Sequence, residues 1–133
     1  MKRLQHINPA GVFDASEIYT HIVIPPPGRI VFLAGLWGGD TAGTLAGGGF
    51  GAQVDQAFAN VLAHLAGIGI GPPQVAMLTH YVVGLDAGKR ADLHRRVGAI
   101  WPVDRPASTL LGVSRLARED MLYEVDVQAV IPD

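Results

Sequence analysis

The chain has 133 residues, a formal net charge of −2, 49% apolar residues and 17% charged ones. That is enough for one domain with a sizeable core, residues 1–133 forming a single unit. It excludes a long disordered tail, the basic face of a general nucleic-acid binder and, with no run of about 20 apolar residues, a membrane-spanning helix.

In chain order, the opening MKRLQHINPAG has no apolar run behind its basic residues. It does not read as a secretory leader, and together with the absence of cysteine this makes a cytoplasmic location the expectation. Without cysteine there is also no disulfide, no thiolate zinc site and no Cys nucleophile. Residues 1–24 hold short extended pieces, with Tyr19 to Val23 reading as a strand before the Pro25-Pro26-Pro27-Gly28 turn. Ile30 to Leu36 (IVFLAGL) is almost wholly apolar, the pattern of a strand covered on both faces. A glycine-rich connection runs from Gly38 to Gly51.

Val54, Ala57, Phe58, Val61, Leu62 and Leu65 then form a single helical stripe that ends near Gly67, and Pro72-Pro73 blocks its continuation. Val75 to Val83 (VAMLTHYVV) reads as a strand. Asp86 can cap a second helix reaching about Trp101, with Leu93, His94, Val97, Ile100 and Trp101 on one side. Two more strands follow, Ala107 to Leu116 and Leu122 to Ile131. In the last, Tyr123, Val125, Val127, Ala129 and Ile131 alternate with Glu124, Asp126 and Gln128. The fold class is therefore α/β in the broad, α+β sense: one sheet with two helices on one face. Since helices cover one face and two strands are apolar on both, other copies of the chain are expected to bury the second face. The low charge and the 17 glycines agree with an oligomer.

Few motifs carry chemistry. GGDTAGTLAGGGFG lacks the lysine of a phosphate-binding loop and reads as a flexible hairpin or flap. Lys89, Arg90, Arg95 and Arg96 read as the wet side of the second helix. The five histidines include no i,i+4 pair beside a carboxylate, so neither a metal site nor a cofactor is expected. His64 reads as a surface residue and His80 as a buried, hydrogen-bonded one, while His94 lies beside an apolar stripe where packing and function are equally served. Tyr19, His21, Ser108, Thr109 and Glu124 remain as polar groups on strands. If assembly buries Glu124 its pKa rises, the physical condition for a general acid or base.

VFLAGL, QVDQAFANVLAHLAGIG (Gln53 to Gly69), RPASTLLGVSRL and YEVDVQAV, with NPAG…YTHIV upstream, together resemble the Rid/YjgF family of small trimeric proteins over nearly the whole chain. The resemblance implies a chorismate-mutase-like fold, a homotrimer whose sheets form a central β-barrel, and small-molecule clefts between subunits. It further implies cofactor-free hydrolysis of reactive imines or enamines to keto acids and ammonia, so hydrolysis or tautomerisation of a small imine, enamine or related carbonyl compound is the expected activity. By the same resemblance Glu124 positions a water, Tyr19 and Gly35 face the ligand, His94 replaces a cleft asparagine and Trp37 walls the pocket. The family's deaminating branch grips a substrate carboxylate with an arginine where this chain has Ser108. Exchanging a bidentate guanidinium for a hydroxyl loses roughly 2–3 kcal/mol, about 30- to 150-fold in affinity. The pocket is therefore expected to suit a less anionic ligand than a 2-imino acid, with Thr109 beside Ser108 and with Arg105 three residues upstream as the nearest charge. A regulatory or binding trimer without turnover is the alternative. A ribonuclease, which family naming suggests, is disfavoured by the charge.

Overall fold

A computed structural model of the chain describes residues 1–133. The elements follow the expected order: β1 (Gln5–Ile7), β2 (Ile22–Ile24), β3 (Gly28–Trp37), α1 (Phe50–Gly67), β4 (Val75–Val83), α2 (Ala87–Ile100), β5 (Ala107–Val113) and β6 (Tyr123–Pro132). Four strands make the main sheet in the order β3-β6-β4-β5, while β1 and β2 pair as a separate ribbon. β4 and β5 run parallel, as a strand–helix–strand crossover requires, and the other pairs are antiparallel.

Several boundaries differ from the sequence reading; β3 runs Gly28–Trp37, taking in the glycine expected in the turn, and β6 runs Tyr123–Pro132. Tyr19, Thr20 and His21 precede β2 rather than belonging to it. Thr20 is the reason: its Oγ1 donates to the Arg105 carbonyl at 2.5 Å and its N–H to the Pro106 carbonyl, which fixes this segment at the start of β5 instead of in a ladder. α1 begins at Phe50, inside the glycine-rich stretch, because Phe50 already packs into the core. β5 ends at Val113, short of Leu116.

Both helices lie on one sheet face. Val54, Ala57, Phe58, Val61 and Leu65 of α1 and Leu93 and Val97 of α2 meet Leu78, Val82, Tyr123, Val125 and Val127 in one core cluster. Burying each such side chain stabilises by about 1.5–3 kcal/mol before chain entropy is counted. Asp86 caps α2 as expected, Oδ1 accepting from the Lys89 N–H at 2.8 Å. His80 is buried, and its Nδ1 lies 2.5 Å from the Tyr123 hydroxyl, while His64 is exposed. Two α1 amides fasten the loops around the sheet. Asn60 Nδ2 donates to the carbonyls of Trp37 and Gly39 at 3.0 and 2.8 Å. Gln53 bridges the Asp120 carbonyl and the Leu122 N–H ahead of β6.

The second sheet face is largely uncovered within the chain; the segment around β2 reaches only its end near Val130, which is 2% exposed. Ile30 and Phe32 of β3 are 68% and 72% exposed, and Leu111 of β5 is exposed too. The face is less uniformly apolar than the sequence suggested: β4 presents Thr79 and Tyr81 there, and β6 presents Glu124, Asp126 and Gln128. No helix is long and apolar enough to cross a membrane.

Candidate active site

Strand alternation sends neighbouring residues to opposite faces. Ser108 pairs with Leu78 and Thr109 with Thr79, so Ser108 points toward the helix side and Thr109 toward the open side. The two hydroxyls therefore cannot serve one site within one chain. The nominated residues form two separate groups.

The first group lies at the sheet edge, between β5, α2 and the segment before β2. Tyr19, His94 and Ser108 line a cavity of about 340 Å³, with Arg90 and an apolar wall that includes Phe13, Ile18, Leu85 and Leu110. The Thr20 hydrogen bonds to Arg105 and Pro106 bring Tyr19 here, and the helical period places His94 one turn after Arg90. Arg105 lies behind this wall, its guanidinium over Gly98 of α2, where an added Cβ would stand 2.7 Å from Nη2. Desolvation, and then the positive charges of Arg90 and Arg105, hold the pKa of His94 below the ordinary histidine value.

The second group lies on the open face. A bulge between Leu33 and Leu36 interrupts the β3–β6 ladder. Within it Gly35 takes φ 56°, a left-handed conformation that favours glycine. Its N–H donates to Asp126 Oδ1 at 2.9 Å, and a Cβ there would stand 3.1 Å from Glu124 Oε1. Asp126 Oδ2 accepts from the Tyr81 hydroxyl at 2.9 Å. Burial, and then the Asp126 carboxylate, push Glu124 above the usual carboxylate range. The hydrogen bond to Asp126 likewise raises Tyr81. Trp37 pairs with Glu124 in the ladder, yet its ring carries the Arg118 guanidinium, 4.9 Å from its centroid, and lines a different hollow with Gly35, Asn60 and His64.

Sequence reasoning missed Thr20, Arg90, Tyr81 and Asp126. Asp126 was visible as the second carboxylate on the outward face of β6, and Arg90 as the residue one turn before His94. No group of three or more His, Asp or Glu side chains is placed to hold a metal ion.

A family model described as Endoribonuclease L-PSP matches residues 11–131. The chain belongs to the Rid/YjgF family. Among solved structures it is similar to a Rid-family protein of unknown function, YyfB from Yersinia pestis, with 28% identity, a TM-score of 0.93 and coverage of 98% of this chain and 100% of that one. It shares its fold with RidA from the Antarctic bacterium Psychrobacter sp. PAMC 21119, at 23% identity, a TM-score of 0.70 and coverage of 96% and 99%. It shares it also with Rv2704 of Mycobacterium tuberculosis, a YjgF/YER057c/UK114 family member, at 20% identity, a TM-score of 0.63 and coverage of 96% and 99%. No curated protein matches the chain. The two helices packed on one sheet agree with these Rid/YjgF neighbours and their chorismate-mutase-like fold.

Proposed function

We propose that this Rid-family protein hydrolyses a small imine, enamine or related carbonyl derivative, without a cofactor, in clefts formed where copies of a homotrimer meet. The observation that carries the reading is the position of Glu124: a half-buried carboxylate of raised pKa on a sheet face that the chain leaves largely uncovered. The other half of the chemistry, Tyr19, His94 and Ser108, lies at the sheet edge on the helix side. Packing the open face of one copy against the edge of the next brings the halves together.

In such a cleft ionised Glu124 takes a proton from water as the oxygen attacks the carbon of the protonated imine, giving a neutral carbinolamine. The protonated carboxyl then delivers that proton to nitrogen; as the C–N bond breaks the regenerated carboxylate takes the proton of the carbinolamine hydroxyl, and a carbonyl compound and ammonia leave. Tyr19 and the neutral His94 ring orient the polar end of the substrate, and Ser108 adds a hydrogen bond. Tyr81 pairs with Glu124 on the open face and Asp126 follows it, while Thr109 stands two strands away, across Thr79 from Asp126. A raised pKa suits a group that must accept and return a proton near neutral pH.

Glu124→Gln keeps the shape and removes the base. It is expected to lower turnover of imines generated in situ about 10²- to 10⁴-fold without changing particle size on a sizing column. Wild-type activity, rising with pH, is expected to have its midpoint above the ordinary glutamate range, because the ionised form is the active one. Unchanged turnover in the variant removes Glu124 from the mechanism. Ser108, in the place of a carboxylate-gripping arginine, favours a second reading: a ligand-binding trimer without turnover. Thermal stabilisation by imines or carbonyl compounds with no product would establish it.

A further inference from the structure

Ser108 brings no charge to its cavity, but the opposite wall does. Arg90 lines the same space as Tyr19, His94 and Ser108. It leaves α2 one turn before His94, and the Arg105 guanidinium rests over Gly98, one turn after it. The neighbouring arginines of α2 are neutralised, Arg95 by Asp92 and Arg96 by Asp55 and Asp92. Arg90 and Arg105 take part in no ion pair, and no carboxylate lines the cavity. His94, its pKa lowered, does not supply the missing charge at neutral pH. The remaining wall is chiefly apolar, Phe13, Ile18, Leu85 and Leu110 among it.

We propose that Arg90 is the specificity-determining residue of this pocket, holding the head of a small carboxylate from α2 instead of from β5, with an apolar side group of the ligand against Ile18 and Leu110. This rests on the reading of the cavity as the substrate cleft and replaces the less anionic ligand that Ser108 by itself suggests. A guanidinium without a protein partner keeps its paired N–H groups free for the two oxygens of a carboxylate. Arg105 adds positive potential from behind and touches Gly98 rather than the ligand. Arg90 is exposed at the mouth, so solvent screens the contact, and the expected preference is about tenfold rather than that of a buried clamp.

The test measures binding, not turnover. The probes are 4-methyl-2-oxopentanoate and the corresponding amide, which share the apolar group and differ in charge, followed by calorimetry at low salt. The wild type is expected to prefer the carboxylate about tenfold, and 0.5 M salt to erase most of that preference. Arg90→Gln is expected to bind both probes alike, while Arg95→Gln keeps the wild-type preference. No carboxylate binding, equal binding of both probes by the wild type, or a preserved preference in Arg90→Gln overturns the proposal. So does a smaller particle for Arg90→Gln, which would assign Arg90 to the contact between copies. Carboxylate binding through Arg90 with no product from any imine overturns the catalytic reading and leaves this one standing.

Discussion

His80 and Tyr123 show what one residue can hold together. Their polar atoms meet at 2.5 Å beneath the helices, with Phe58 against both rings, so each satisfies the other where water does not reach. Burial, and then the charge of His94, lower His80 from 6.5 to about 3. The folded state thus keeps the ring neutral, while the unfolded chain takes up a proton below about pH 6.5. Stability is therefore full above that pH, declines as pH falls below it and levels off near pH 3, at a slope of roughly 1 kcal/mol per pH unit. His80→Gln retains a hydrogen-bonding partner for Tyr123 and cannot titrate. Urea denaturation from pH 7 to pH 4 is expected to give a flatter profile for the variant; parallel profiles would show that the ring is not the group being charged. His80 was legible because it alternates with Leu78 and Val82 on an apolar strand face. Thr20 and Arg90 were not, since their roles depend on contacts 85 residues away in the sequence or on which arginines lack a carboxylate.

At the scale of elements, α1 does more than bury a stripe. Gln53 and Asn60, which carry part of the family resemblance, anchor the chain on either side of it: Asn60 holds the bend after β3 and Gln53 the approach to β6. These are the strands that carry Gly35 and Glu124, so an amide on a helix sets the open-face group from behind. Asn60→Ala removes two bonds to backbone carbonyls, one of them on the buried Gly39. It is expected to lower unfolding free energy by about 1–3 kcal/mol and to speed hydrogen exchange after β3. Loss of stability without faster exchange there would mean the amide supports the helix alone. Patterning revealed both helices and all four main strands, because a buried stripe and a pleated face repeat along the sequence. It failed at Tyr19–Val23 and at the ends of α1 and β5, where hydrogen bonds to distant residues decide the conformation. Alternation along the predicted strand already separates Ser108 from Thr109; strand pairing adds which face each takes, Ser108 beside Leu78 and Thr109 beside Thr79.

For the whole molecule the open sheet face decides the outcome. Ile30 and Phe32 stand largely exposed at one end of it, and Glu124 and Asp126 at the other. In the proposed trimer, a neighbouring copy that covers the apolar end would also remove water around the carboxylates, so assembly and acid–base tuning would become one event: burial would raise Glu124 further. On that proposal activity is coupled to association, and the coupling can be tested away from the chemistry. Phe32→Lys places a charge in the covered patch but leaves Glu124, Tyr19, His94 and Ser108 unchanged. The wild type is expected to run as three copies of the 14.0 kDa chain, and the variant as single chains at micromolar concentration. Imine hydrolysis should fall with the assembled fraction and return at higher protein concentration, where mass action restores the trimer. Wild-type protein that sediments as one chain, or a monomeric variant with full activity, would mean that each copy is complete by itself, and the two groups of residues on opposite faces would then need separate functions.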